Sequence, residues 1–455
     1  MRGVLCSRSV GVALFAGLAM FGSSATYAQQ GARVPTFARD IAPVFQAKCH
    51  SCHRPGTVAP MSLLTYEQAR PWARSIRDRV LRREMPPWHL DANVGIKSYK
   101  NDVSLTDHEI ATIAAWVDNG APLGDPKDLP APITFNDDEW TIGKPDLIIS
   151  LTEADVVAAA GPDWWVNRVV ETGLNEDRYI KAVETRVNAE GRQVVHHAIA
   201  TLLQDDADRS LRRGGGVDSG PPILDVDEGT YLSEYAVGKN GEAFPDGAGR
   251  VIKAGAKVRF NMHYSSAAGL GREVPAVTSV GFVFYPKGYK PKYFITDLFP
   301  HENDSIDIAP GQMARTDVYY SLPQPARIVG FQPHMHMRGK AMCMEAIYPE
   351  GRREMLSCVD RWDFSWHIMY TYTDDVMPLL PAGTMLHLIA IHDNTKSNPR
   401  NPDPTVWVGW GQRSIDDMAA AHINTQFLTQ EDFDRLVVER KAAQGRPLSN
   451  IQPRR

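Results

Sequence analysis

Along this chain the spacing of hydrophobic positions changes character twice. From Val10 to Phe21 they form one continuous run, preceded by Arg2 and Arg8 and followed by Gly22, Ser23, Ser24 and Ala25. A basic start, a short apolar stretch and the small-residue site Thr26-Tyr27-Ala28 describe a signal peptide, residues 1-28, cleaved after Ala28. The run is short for a span of about 20 residues, and no later stretch is apolar for long enough to cross a bilayer. Between residues 34 and 125 the spacing becomes helical. In the stretch Leu105 to Gly120, Ile110, Ile113, Ala114 and Val117 share one face. Thr106 or Asp107 can cap its start, and Asn119-Gly120 ends it.

A Pro-rich connector, 126-138, follows. Beyond it the apolar positions alternate in short runs separated by Gly, Pro and Asn or Asp turns. Lys257 to Ser265, Ala326 to Gly330, Ala341 to Tyr348 and Met385 to Ile391 read as strands. This pattern predicts β-sandwich architecture, and the remaining roughly 320 residues exceed one typical sandwich. Two all-β sandwich domains in tandem are therefore expected, at 139-290 and 291-440, with 441-455 as a C-terminal tail.

Composition narrows the class without deciding it. A chain of 455 residues with 43% hydrophobic and 23% charged positions suits a folded protein of about three domains. A net charge of -5 gives no electrostatic footprint for nucleic acid or an anionic membrane surface.

The cysteines change the picture more. Of five, Cys6 leaves with the signal peptide, and two belong to Cys49-His50-Ser51-Cys52-His53. This C-x-x-C-H run is the signature of a covalently attached haem c. The thiols add across the haem vinyl groups and His53 stands where an axial ligand is needed. Met85, in Glu84-Met85-Pro86-Pro87-Trp88, is the favoured sixth ligand, with Met61 and His89 as rivals. A thioether there would raise the haem potential. The 105–120 helix resembles the last helix of a class I cytochrome c, so a small all-α cytochrome c domain is expected over 34-125. Export with a haem implies a periplasmic or secreted protein, with no membrane span after signal removal.

Histidines dominate the chemistry of the β-rich part. His196 and His197 are adjacent in Val194-Val195-His196-His197-Ala198. In Val258-Arg259-Phe260-Asn261-Met262-His263-Tyr264, strand alternation puts Val258, Phe260, Met262 and Tyr264 on one face and His263 on the other. In Gln332-Pro333-His334-Met335-His336, i,i+2 spacing puts both imidazoles on one strand face with their backbones about 6–7 Å apart. Each piece alone is weak. An isolated H-x-H is more often a surface pair, and neighbouring histidines on an ideal strand point to opposite faces. The ordered set carries the signal: HH, then H, then HxH, then Met418 near the end of Gly411-Gln412-Arg413-Ser414-Ile415-Asp416-Asp417-Met418. Met335, Met337, Met342, Met344 and Met385 read mostly as core. His367, His387 and His392 read as supporting or structural histidines, and His301 and His422 have no supporting context.

That order resembles the copper type II monooxygenases, the family of peptidylglycine α-hydroxylating and dopamine β-monooxygenases, over roughly residues 140 to 430. The resemblance implies two jelly-roll-like domains, each holding one copper. His196, His197 and His263 would hold the first copper, an electron reservoir. His334, His336 and Met418 would hold the second, which meets O2. The thioether suits Cu(I). Two features depart from the animal enzymes: a fused cytochrome, and only Cys343 and Cys358 left to form a disulfide. A two-residue Glu350-Gly351 turn would put those cysteines directly opposite each other.

The expected protein is thus a haem- and copper-containing monooxygenase that hydroxylates a small-molecule substrate with O2. Its haem would pass electrons from a periplasmic donor to two coppers. The alternative is an electron-transfer or copper-binding redox protein that oxidises no substrate. A multicopper oxidase or nitrite reductase is disfavoured, because neither remaining cysteine lies in a His-x-Cys setting.

Overall fold

The Thr106 hydroxyl accepts a hydrogen bond from the Glu109 amide, and the Glu109 carboxylate returns one to the Thr106 amide. This capping box satisfies two of the free donors at a helix start and fixes the boundary the sequence left between Thr106 and Asp107. In the computed structural model, which describes residues 33–444 apart from 56, 58, 60, 136–139, 205–229, 240, 266–270 and 303–304, that helix runs Asp107–Asp118. The expected signal peptide, residues 136–138 of the connector and tail residues 445–455 lie outside the described residues.

The short N-terminal helical region contains α1 (Ala42–Lys48), α2 (Ala73–Leu81) and α3 (Asp107–Asp118). From α3, Ile110, Ile113 and Trp116 are buried against Phe37, Phe45, Ile76 and Val80. Ala114 and Val117, expected on the buried face, are only half-buried. The indole of Trp116 takes the centre instead and donates to the Pro122 carbonyl at 3.0 Å. A ring of that size buries more area than either smaller side chain, and its N–H finds the partner that burial requires.

The rest is β-sheet-rich. In chain order its first half contains β1 (Trp164–Glu171), β2 (Arg178–Val187), β3 (Val195–Leu203), β4 (Thr230–Ala236), β5 (Ala248–Ile252), β6 (Lys257–Tyr264) and β7 (Thr278–Phe284). The second half contains β8 (Tyr293–Leu298), β9 (Met313–Ser321), β10 (Ala326–His334), β11 (Gly339–Ile347), β12 (Arg353–Val359), β13 (Met385–Asp393) and β14 (Ala419–Phe427). One antiparallel sheet has the order β1-β6-β3-β4, and another β9-β13-β11-β12. A larger sheet contains β7-β2-β5-β8-β14-β10. The two halves join in this sheet by a short parallel pairing, Ala248 opposite Tyr293 and Gly249 opposite Phe294. They are therefore not separate beads on a string. From Pro35 onward the chain forms one compact unit.

Strand alternation explains the core. Val258, Phe260, Met262 and Tyr264 of β6 are all fully buried, as their period of two requires. Met335, Met342 and Met344 are buried as well. Residues 88–103, between α2 and α3, leave the helical cluster and lie along the second half. The Asp91 amide donates to the Cys358 carbonyl at 2.8 Å and the Ile96 amide to the Leu356 carbonyl at 2.9 Å. Trp88, Leu90 and Tyr99 are buried in the β core rather than among the helices.

Cys343 and Cys358 face each other across β11 and β12 and are joined by a disulfide. The register arises differently from the sequence expectation. The Tyr348 amide donates to the Arg352 carbonyl at 2.8 Å, so the turn holds Pro349, Glu350 and Gly351, with Gly351 at φ +87°. A bulge between Met344 and Glu345 then shifts the pairing by one residue and brings Cys343 opposite Cys358.

Candidate metal centre

The adjacent pair His196-His197 faces one site because β3 is not a regular strand there. Val195 pairs with Tyr264 and His197 with His263, so the register slips between Val195 and His197. His196 is the extra residue of a β-bulge, which turns its side chain to the same side as its neighbour. The two Nδ1 atoms stand 3.2 Å apart. The three rings of His196, His197 and His263 have centroids 4.9 to 5.4 Å from one another. Their donor atoms all lie within 4.8 Å of one another, a potential three-histidine metal site.

The chemistry of this donor set fits a metal. The His263 Nε2 lies 3.1 Å from the Asp163 carboxylate, and its ring stacks on Trp165 at 4.3 Å. Burial pushes His196 down to about 2, with the nearby His197 adding to the effect. Burial also lowers His197 to about 3, with His263 pressing it further down. Both imidazoles are held neutral, the form that offers a lone pair to an ion.

The second set comes from the other half of the molecule. His334 ends β10 and His336 follows two residues on, their ring centroids 5.3 Å apart. The chain between β14 and the preceding loop supplies Met418, which is buried. Asp417, fully buried, locks these two elements together. Its Oδ1 accepts from the His336 amide at 3.0 Å and from the Met418 amide at 2.8 Å. His392 Nδ1 lies 3.3 Å from the same oxygen. Burial alone would raise the Asp417 carboxyl, but the neighbouring His392 and His336 hold it below the usual range. Burial, with His367 and His336 nearby, holds His334 well below the ordinary imidazole value. Trp362 donates its indole N–H to the His336 carbonyl at 3.1 Å. Gly339 makes room for that indole, since a Cβ there would lie 2.6 Å from the Trp362 ring.

His196, His197, His263, His334, His336 and Met418 all line one cavity of about 330 Å³. Apolar walls come from Trp165, Ile199, Phe299 and Phe364, and polar groups from Asn167, Asn261, Gln412 and Ser414. Two more histidines, His367 and His422, face the same space and were not assigned to it from the sequence. His422 Nδ1 lies 2.8 Å from Asp297, and its ring stacks on Tyr231 at 4.5 Å. Neither lies in a spacing pattern, so no sequence signal marks them. Among the described residues, the His334 and His336 set does not reach the compactness of the first cluster.

The C-x-x-C-H run occupies the turn that closes α1. The Cys52 and His53 amides donate to the Cys49 carbonyl at 3.1 and 2.8 Å, which gathers both thiols and the imidazole into one turn. Both thiols are free, and burial pushes Cys49 up to about 12. His53 Nδ1 lies 3.2 Å from the Met61 carbonyl. An imidazole that gives one N–H to a backbone carbonyl keeps its other nitrogen for a metal, so these groups fit a haem. Met85 is half-buried and His89 is buried, with the His89 carbonyl accepting from the Asp360 amide at 3.3 Å.

No family model matches the chain and no curated protein matches it. Among solved structures, PNGF-II is similar over 62% of this chain and 65% of that one, with 9% identity and a TM-score of 0.26. The chain thus spans less than two thirds of the length of PNGF-II. A two-domain protein of unknown function from Bacteroides fragilis is similar over 62% of this chain and 94% of its own, with 13% identity and a TM-score of 0.15. Likenesses this distant carry no argument about what the chain does. No helix among the described residues is long and apolar enough to cross a membrane.

Proposed function

We propose that this protein is an exported copper- and haem-dependent monooxygenase that hydroxylates a C–H bond of a small organic substrate. One observation carries the reading: His196, His197, His263, His334, His336 and Met418, drawn from two halves of the chain, open onto one cavity of about 330 Å³. Copper held by these residues would store single electrons and reduce O2, so that one oxygen atom enters the substrate and the other leaves as water with two electrons and two protons. Haem c held by Cys49, Cys52 and His53, with Met85 as a further ligand, would supply those electrons one at a time.

The protein's own groups do the remaining work. The stack of Trp165 on His263 and the Asp163 carboxylate hold that imidazole in place. Asp417 fixes the backbones of His336 and Met418 relative to one another. Phe299, Phe364 and Ile199 offer apolar contact to a substrate and keep bulk water away, while Asn167, Asn261 and Gln412 can orient its polar groups.

The test is reaction with 18O2 after loading with copper and haem, followed by untargeted metabolite profiling. One labelled oxygen atom in a product, with two electrons drawn per turnover, is the expected result. A second reading is an electron-transfer or copper-binding redox protein without substrate oxidation. It is favoured by the compactness of the first histidine cluster alone. Electron uptake and release without O2-dependent product formation would establish that reading in place of the first.

A further inference from the structure

We propose that His367 is a metal ligand, completing with His334 and His336 a three-imidazole set on the second side of the cavity. The inference rests on the two-copper reading for the identity of the ion. His367 lies in the loop after β12, far in sequence from every histidine in the HH, H, HxH pattern. It is 5% exposed, yet its Nε2 has no hydrogen-bond partner. Leaving a buried polar nitrogen unpaired costs on the order of 1–3 kcal/mol, so a chain that keeps one there needs something to satisfy it.

The residue is held as a ligand would be. Its main-chain amide donates to the Val237 carbonyl at 3.2 Å, which ties this loop of the second half to the first half. The ring also lies against the Phe364 backbone. Trp362 and Phe364 flank the ring, each with its centroid 5.8 Å away.

The spacing selects the partners. Imidazoles bound to one tetrahedral ion through metal–nitrogen bonds of about 2.0–2.1 Å place their ring centroids about 5 Å apart. The His334–His336 and His334–His367 centroid distances are both 5.3 Å. His196, the nearest ring of the first cluster, is farther away, at 6.1 Å. Because the three donor atoms are not drawn together as tightly as those of the first cluster, metal entry must turn at least one ring about its side-chain torsions. A third imidazole has a chemical consequence: the second ion then has three nitrogen donors beside the softer Met418 thioether, which favours Cu(I).

The experiment uses the full chain with its haem, stripped of copper by a chelator and titrated with Cu(II) alone. Bound copper is counted by elemental analysis and coordinated imidazoles by pulsed EPR. Wild type is expected to take two ions. His367→Ala should keep the first and bind the second at least tenfold more weakly, with fewer imidazoles per copper. His367→Gln, which keeps the ring's volume and polarity better, should give the same loss with an unchanged melting curve. If both His367 variants hold two coppers with wild-type affinity and imidazole count, His367 is no ligand and this inference alone falls. A wild type that takes one ion, lost in His263→Ala and kept in both His367 variants, overturns the two-copper reading together with it.

Discussion

Asp417 is the residue on which the second half of the cavity depends most. Its single oxygen Oδ1 accepts from the amides of His336 and Met418 and sits beside His392, all within 3.3 Å and away from solvent. Two potential ligands from distant parts of the chain are therefore positioned by one carboxylate. Removing it strands two buried amides and a buried imidazole, and breaking such a buried charged contact costs about 3–5 kcal/mol. Asp417→Ala should lose stability of that order in urea denaturation and should lose metal from the His334 and His336 side first. Asp417→Asn, which keeps an acceptor oxygen, should fall between that variant and wild type.

At the scale of elements, two irregularities matter more than the regular strands. The bulge at His196 turns neighbouring histidines towards one potential metal site, and the bulge between Met344 and Glu345 corrects the register of the β11–β12 hairpin after its turn. The hairpin's disulfide closes a chain separation of 15 residues between strands that are already hydrogen-bonded. Its contribution should be about 3 kcal/mol, the value for a loop of that length. A double variant, Cys343→Ser with Cys358→Ser, should lower the melting temperature accordingly. Metal uptake by His196, His197 and His263 should be unchanged, since that cluster sits on a different sheet. A parallel loss of metal would mean the two sheets do not behave independently.

At the scale of the molecule, the helical region and the β-rich part are not joined by a connector alone. Trp88, Leu90 and Tyr99 are buried in the β core, and the aromatic rings of Trp88 and Tyr370 meet at 4.9 Å. The route from the Met85 loop to the cavity is also short. The His89 carbonyl bonds the Asp360 amide, and Trp362, two residues on, bonds the His336 carbonyl. A fragment beginning at Trp140 loses the three buried side chains, each contributing about 1.5–3 kcal/mol. It should be less stable than a fragment beginning at Trp88 by on the order of 5 kcal/mol in chemical denaturation. Equal stability of the two fragments would mean that residues 88–103 merely rest on the sheet.

The sequence by itself determined what is local or periodic. Period-two spacing sorted Val258, Phe260, Met262 and Tyr264 into the core and left His263 facing the cavity, because pleating alone decides which side a strand residue takes. The cap at Thr106 was legible for the same reason, since its partners lie within one turn. The potential metal site of His196, His197 and His263 was legible as part of an ordered histidine pattern. Tertiary structure decided everything that depends on distance along the chain or on departures from ideal strands. The bulge at His196 has no sequence mark, because an extra residue shows itself only against the register of a partner strand. His367 and His422 entered the cavity from segments with no spacing signal, carried there by the packing of loops and strands around them. The continuous sheet through both halves arose from a two-residue parallel pairing, Ala248 with Tyr293 and Gly249 with Phe294. Such a contact is governed by where two surfaces meet, and no run of residues along one strand encodes it.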